Sequence, residues 1–212
     1  MINAITIIKK KQGLTYEKFQ NYWKNEHAEI VTRSPLVGTY VQSHPIYNDE
    51  LTFEDTIDGI AEIWFDDTNA MRSLAATKEY QDIQNDEKVF IDGSAVRLII
   101  AEDKITVEGD ISDCKLIIFM NKSSNVELAD FRNDLVDKAS HYSKKNLNRV
   151  KVSLPKIAGY KGDKSPAWDA ILTFWLDFEV DQQYVHEVLR DFSSFSKNII
   201  AKLCNSVVVQ EK

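Results

Sequence analysis

Hydrophobic and polar positions in the first half of the chain recur first with the period of strands and then with the period of helices. Segments typical of strands occupy 4–10, 38–44, 58–65 and 95–101, and helical spacing occupies 15–30 and about 68–90, the latter in one or two pieces. The second half repeats this order, with strands at 115–120, 149–154, 169–176 and 206–210, a helix opened by a capping box at Ser124, and a helix over 182–202. Both halves therefore have the order βαββαβ of a ferredoxin-like unit.

The two halves are also related as sequences, at a constant offset of 111 residues. Asp58–Asp66 aligns with Asp169–Asp177, sharing Asp, Ile, Trp and Asp, and Ile5–Ile8 aligns with Leu116–Phe119. One offset that joins separated strands indicates an internal duplication.

The fold class that follows is α+β, built from two tandem ferredoxin-like units at 1–104 and 113–212 with the joint at 104–112. Helices cover one face of each sheet, so the other face must be buried by a second sheet or remain wet. We expect the two sheets to close into an α/β barrel with a ligand cavity inside.

Candidate chemistry is concentrated in the second and third strands of the first half. We expect small apolar residues such as Ala61 and Ile63 to face the helices. The residues expected on the opposite, inner face are Tyr40, Gln42, His44, Ile60, Glu62 and Trp64. His44 is the candidate acid or base because its ordinary pKa is nearest neutrality. Glu62 could pair with it, Tyr40 could stabilise an oxyanion, and the other three would bind the substrate.

The second copy retains little of this set. The same offset places Lys151, Ser153 and Thr173 at the matching positions, and of the aromatic and polar residues only the Trp persists, as Trp175. We therefore expect one site, in the first half, with Trp175 as a wall of the cavity.

His27 lies on a helical stripe with Phe19 and Trp23, where a structural role and a substrate contact are both open. We include His27 among the candidate binding residues. No convincing metal spacing occurs: within Glu26-His27-Ala-Glu29 only the two carboxylates share a helical face. No metal site is predicted.

Charge and hydropathy exclude some partners. The net charge is −7, and residues 1–112 contain 11 basic and 20 acidic residues, so nucleic acid is not expected as a partner. Apolar runs are too short to cross a bilayer, and the N-terminus has the pattern of a strand instead of a signal peptide. A cytoplasmic location without membrane association is the expectation.

The first half resembles the EthD-like proteins of the dimeric α/β-barrel superfamily. The residues that carry the resemblance are Leu14-Thr-Tyr-Glu-Lys-Phe19, Tyr22-Trp23, Glu26-His27-Ala28, Tyr40-Val-Gln-Ser-His44, Asp58–Asp66 and Phe90-Ile-Asp92. It covers roughly residues 1–105, and the second half is similar to a divergent tandem copy without these polar motifs.

The resemblance implies a dimeric-α/β-barrel type architecture and a pocket for a small hydrophobic or aromatic organic acid, ketone or lactone, with relatives in catabolic and polyketide pathways. It favours a cofactor-free lyase or isomerase that uses His44 as its acid or base. Two alternatives stay open: a binding protein without turnover, and a haem-binding or monooxygenase-type barrel with His44 as the axial ligand. The barrel could close within a monomer or between the chains of a homodimer.

Overall fold

The computed structural model of this chain describes residues 1–46, 57–156, 165–177 and 180–212. The strands of the first half are β1 (Ile2–Ile8), β2 (Tyr40–Pro45), β3 (Gly59–Phe65) and β4 (Arg97–Val107). Its helices are α1 (Tyr16–Tyr22), α2 (Ala28–Thr32), α3 (Thr68–Ala75) and α4 (Lys78–Phe90), with a π-helical turn (Trp23–His27) that joins α1 to α2.

The second half contains β5 (Cys114–Lys122), β6 (Leu147–Pro155), β7 (Ala170–Leu176) and β8 (Ser196–Gln210). Its helices are α5 (Leu128–Ser140) and α6 (Gln182–Phe192), and a short 3-10 turn (Ser193–Phe195) leads into β8. The predicted βαββαβ order is confirmed in both halves.

Capping side chains set several helix boundaries. Thr15 accepts a hydrogen bond from the Lys18 backbone N–H and so begins α1, as its type and position favour. Asp67 and Thr77 cap α3 and α4 in the same way. The predicted helix over 68–90 is thus two helices, because Thr77 satisfies backbone donors at a new helix start.

Three predicted boundaries are wrong. The helix predicted over 182–202 ends at Phe192, because β8 begins at Ser196 and pairs with β5 from Ser196 to Asn205. The strand predicted over 95–101 continues to Val107, because β4 pairs with β6 from Ala101 to Val107. The predicted capping box at Ser124 is not the start of α5, whose N-cap is Glu127.

The eight strands of the described residues are hydrogen-bonded in the closed order β1-β3-β2-β8-β5-β7-β6-β4. The chain divides into two compact units. The first contains Met1–His44, residues 57–100 and Val207–Lys212, and the second contains residues 45–46 and Ala101–Ser206.

Each unit has its own apolar core between helices and sheet. In the first, Phe19, Trp23 and Phe90 from the helices pack against strand residues such as Ile8 and Phe65. In the second, the corresponding core contains Phe131, Leu135, Phe192, Leu116 and Phe174. None of the helices in the described ranges combines the length and hydrophobicity that a membrane crossing requires.

The register of β2 on β3 decides which side chains face the helices. Tyr40 lies opposite Ile63 and Gln42 opposite Ala61, whereas Val41 lies opposite Glu62. Opposite residues of an antiparallel pair share a face, and Ala61, Ile63 and Tyr40 all belong to the core beneath the helices. The predicted common face of Tyr40, Gln42 and His44 with Glu62 is therefore wrong.

Candidate functional site

A cavity of about 380 Å³ lies between the sheet and the helices of the first unit. The sheet contributes Ala4, Thr6, Tyr40, Ala61 and Ile63 to its lining. The helices contribute Trp23, His27, Tyr80, Ile83 and Glu87. A mostly apolar wall with a few polar groups is typical of a small-molecule site. The ligand cavity was expected on the inner face of the sheet, whereas this one is on the helix-covered face.

The π-helical turn positions two of the side chains that line the cavity. It contains Trp23 and His27, both buried, and π-helical turns often mark functional positions. The Trp23 carbonyl oxygen accepts a hydrogen bond from Gln42 Nε2 at 2.9 Å, which ties the turn to β2. Gly59 leaves room for the indole, because a Cβ at this position would lie 2.5 Å from Trp23 Cζ3.

His27 is held by a carboxylate. Its Nδ1 lies 2.7 Å from Asp86 Oδ2, and the Tyr22 hydroxyl donates to Asp86 Oδ1 at 2.6 Å. Since a carboxylate only accepts, Nδ1 carries the proton and Nε2 has the lone pair. Burial lowers the pKa of His27 below its usual 6.5, against the opposing effect of Asp86. At neutral pH His27 is thus an uncharged base in the cavity wall, oriented as in an Asp–His pair.

Tyr40 is the second polar group of the cavity. Its hydroxyl oxygen accepts a hydrogen bond from Gln42 Nε2 at 2.9 Å. Burial raises the pKa of Tyr40 to about 12, although the hydrogen bond from Gln42 and the nearby Trp23 N–H lower it in part. The Trp23 N–H lies near this oxygen but has no partner of normal hydrogen-bond geometry among the described residues. Tyr40 therefore stays protonated and can donate its hydroxyl proton to a ligand oxygen.

His44 supports Tyr40 indirectly. Its Nε2 lies 3.0 Å from Gln42 Oε1, its Nδ1 contacts the Gln20 amide oxygen, and its ring packs on Trp23 with the centroids 4.5 Å apart. Burial, with a smaller effect of Lys24, lowers the pKa of His44 to about 4. His44 is not among the described residues that line the cavity. It fixes the Gln42 amide, which in turn fixes Tyr40.

Glu87 adds a carboxyl group to the same cavity from α4. Burial, followed by repulsion from Asp86, raises the pKa of Glu87 to about 6. Its charge also contributes to raising the pKa of Tyr40 and of Tyr80. Carboxyl groups with raised pKa values in a cleft are common at functional sites.

The other predicted site residues lie elsewhere. Ile60, Glu62 and Trp64 are on the face of the sheet away from the helices, where Asn3 Nδ2 donates to Glu62 Oε1 at 2.9 Å. Trp175 is in the second unit, with Lys115 Nζ 5.2 Å from its ring centroid. Of the eight predicted residues, the structure places Tyr40 and His27 in the cavity and Gln42 and His44 directly behind Tyr40.

Sequence reasoning missed Trp23, Asp86 and Glu87 as site residues. A signal was present in α4, where Ile83 and Phe90 form the buried stripe and Asp86 and Glu87 fall between them at helical spacing. Acidic residues on the apolar side of a helix are costly without a partner or a function.

The second unit lacks these groups because its equivalent positions are apolar. At the offset of 111, Ile63 of β3 corresponds to Phe174 of β7. Tyr40 lies opposite Ile63 and Val150 lies opposite Phe174, so Tyr40 corresponds to Val150 and the offset between β2 and β6 is 110. In the same register Val152 replaces Gln42. In α5, Leu135 and Ala139 occupy the buried stripe in the places of Trp23 and His27. The constant offset of 111 had instead matched Tyr40 and Gln42 to Lys151 and Ser153, one residue too far.

Metal binding has no support in this geometry. Across residues 1–46, 57–156, 165–177 and 180–212, no three His, Cys, Asp or Glu side chains are grouped so that they could hold a metal ion. The polar groups of the candidate site are His27, Tyr40 and Glu87, with Asp86 bound to His27.

Known proteins resemble the chain in sequence, over part of its length, and in fold, over nearly all of it. Residues 11–94 match the EthD domain, which confirms the resemblance of the first half, and no curated protein sequence matches. An anthrone oxidase-like protein of known structure covers 100% of this chain and 94% of its own, with a TM-score of 0.61 and 10% identity. A candidate monooxygenase from Lactobacillus acidophilus NCFM covers 97% and 93%, with a TM-score of 0.55 and 12% identity.

A candidate chlorite dismutase also aligns, over 98% of this chain and 95% of its own, with a TM-score of 0.54 and 11% identity. Such low identities show a shared fold and leave the reaction open.

Proposed function

We propose, from the match of residues 11–94 to the EthD domain and from the cavity in the first unit, that this protein binds a small aromatic ketone, acid or lactone and moves a proton beside its carbonyl group. It would do so as a cofactor-free lyase or isomerase. The observation that carries the proposal is that His27, oriented by Asp86, lines the same cavity as Tyr40.

The chemistry needs one base and one hydrogen-bond donor. His27 Nε2 takes a proton from the carbon next to the carbonyl, and the C–H electron pair moves to give an enolate. The Tyr40 O–H stabilises the charge on the enolate oxygen. Return of the proton to a different carbon completes an isomerisation, and expulsion of a leaving group from the next carbon completes an elimination.

This assignment moves the acid–base role from His44 to His27. His44 keeps a positioning role through Gln42, since its ring nitrogens face the amide oxygens of Gln20 and Gln42. The same contacts do not fit His44 as an axial haem ligand, because coordination needs a ring nitrogen directed into an open cavity. We therefore propose no step through haem.

The first experiment follows proton exchange. 2-Tetralone, a bicyclic aromatic ketone, is incubated with the protein in D2O, and deuterium uptake beside the carbonyl is measured by mass spectrometry. We expect exchange faster than in buffer, lowered about 100-fold or more by His27→Gln, in line with the usual contribution of a general base. Tyr40→Phe should lower it by a comparable factor.

The control is His141→Gln, which changes an exposed histidine of the second unit. It should leave exchange unchanged. Binding is followed in parallel by thermal shift. Stabilisation of the wild type by the ketone without exchange would support a binding protein without turnover and contradict the catalytic role. Neither binding nor exchange, with this ketone or with an aromatic acid or lactone, would contradict the proposal as a whole.

A further inference from the structure

A second depression adjoins the cavity of the first unit. It is an open cleft of about 790 Å³. Four side chains line both spaces, namely Gln84, Glu87, Ile91 and Val96. The cleft and the cavity are therefore neighbours, and these four side chains border both of them.

The linings of the two spaces differ in polarity. The cavity is bounded mainly by aliphatic and aromatic side chains. The cleft contains four carboxamides, which are Gln12, Gln81, Gln84 and Asn85. Each carboxamide can both donate and accept hydrogen bonds, which matches hydroxyl groups of either orientation.

Charges in the cleft are balanced. Lys11 and Lys88 are opposed by Glu87 and Asp92. Lys11 Nζ already donates to the Lys88 carbonyl oxygen at 2.6 Å, and Lys88 Nζ donates to Asn85 Oδ1 at 2.8 Å. An electroneutral lining with many amides favours an uncharged polar group over a carboxylate or an ammonium ion.

We infer that the ligand is amphipathic and spans both spaces, with an apolar ring system in the cavity and an uncharged, hydroxyl-rich end in the cleft, where Glu87, which borders both, accepts a hydrogen bond. This inference rests on the proposed function, which it extends by naming the class of ligand. The cavity alone is near the lower limit of about 300–1,000 Å³ for ligand pockets, and the cleft supplies the additional volume.

The test compares three probes with the same bicyclic ring: 2-naphthol, 2-naphthyl β-D-glucoside and 2-naphthoate. Their affinities for the full chain are measured by isothermal titration calorimetry. We expect the glucoside to bind about three- to tenfold more tightly than 2-naphthol, as one or two net hydrogen bonds would give. The naphthoate should bind more weakly than the glucoside.

The matched variant is Gln12→Ala combined with Gln81→Ala. Both side chains are exposed and line the cleft but not the cavity. The advantage of the glucoside should disappear in this variant, while the affinity for 2-naphthol stays unchanged, which also shows that the variant is folded.

The outcomes separate the inference from the proposed function. Binding of 2-naphthol with weaker binding of the glucoside would overturn the inference and leave the proposed function standing. An equal glucoside advantage in the double variant would overturn the role of the cleft. Binding of none of the three probes would overturn both.

Discussion

The Asp86 carboxylate should be the group on which the His27 side of the site depends most. It accepts hydrogen bonds from the Tyr22 hydroxyl and from His27 Nδ1, and the side chains of Asp86 and His27 are only 10% and 5% exposed. Asp86→Asn keeps one acceptor oxygen and replaces the other with an NH2 group. Neutral His27 can move its proton to Nε2 and accept from this NH2 group at Nδ1, so what both hydrogen bonds lose is the negative charge of their partner.

A hydrogen bond to a charged group contributes about 1.5–3 kcal/mol and one between neutral groups about 0.5–1.5 kcal/mol, so replacing two of the first kind by two of the second costs on the order of 1.5–3 kcal/mol. We therefore expect Asp86→Asn to lower the free energy of unfolding by about 1.5–3 kcal/mol. For a chain of this size that is roughly 3–12 °C in melting temperature. The measurement is urea unfolding at pH 7.5, where His27 is uncharged.

A second readout is specific to the contact. The hydrogen bond to Asp86, with burial and charge as smaller causes, raises the pKa of Tyr22 to about 12. In Asp86→Asn this pKa should fall toward 10, as followed by NMR of chain labelled at the tyrosine ring carbons. Asp82→Asn is the control, because it removes the same charge from an exposed position of the same helix.

The reasoning would be refuted by equal stability of Asp86→Asn and Asp82→Asn, within about 0.5 kcal/mol, together with a Tyr22 pKa that stays near 12. Loss of stability without a change in the Tyr22 pKa would show that the tyrosine hydroxyl does not donate a hydrogen bond to this carboxylate.

Three other perturbations should have measurable effects. Gly59→Ala should displace the Trp23 indole, destabilise the fold by about 1–3 kcal/mol and weaken 2-naphthol binding in calorimetry; unchanged affinity would contradict the tight contact. Because the pKa of His44 is about 4 when folded and 6.5 when unfolded, its stabilising contribution is complete above pH 6.5 and is lost as the pH falls toward 4. His44→Gln should therefore show a flatter dependence of unfolding free energy on pH, and an equally steep curve would argue against the shift. Thr15→Ala should cost about 1 kcal/mol in urea unfolding, since it removes the cap bond to Lys18, and no loss would mean that this helix end frays.

Local patterns predicted the elements well where the residues that cause an element lie within that element. The stripe of Phe19, Trp23 and His27 predicted a helix with one buried side, and Thr15 marked its start. The Trp-containing motif in β3 and β7 predicted a repeat, and the two halves do have the same order of elements. These features depend on neighbours in the sequence, so the sequence displays them directly.

The last residues of the helix predicted over 182–202 show where local pattern fails. Asn198-Ile-Ile-Ala201 is compatible with a helix, but in the fold it pairs with β5. Backbone hydrogen bonds to a strand some 80 residues earlier in the chain outweigh a weak helical preference. The sequence around 198–201 does not include that strand, so the local pattern could not predict the pairing.

The sequence by itself determined the order of elements, the repeat and the presence of Tyr, Gln and His on one side of β2. Only the tertiary structure decided which side that is. Nearly every residue of β2 and β3 is buried or half-buried, so hydrophobicity does not distinguish the two faces. Because side chains alternate with a period of two, the pairing of Tyr40 with Ile63 instead of Glu62 transfers the whole set to the helix-covered face. That one-residue difference in register separates Tyr40 from Glu62 and places it in the cavity with His27.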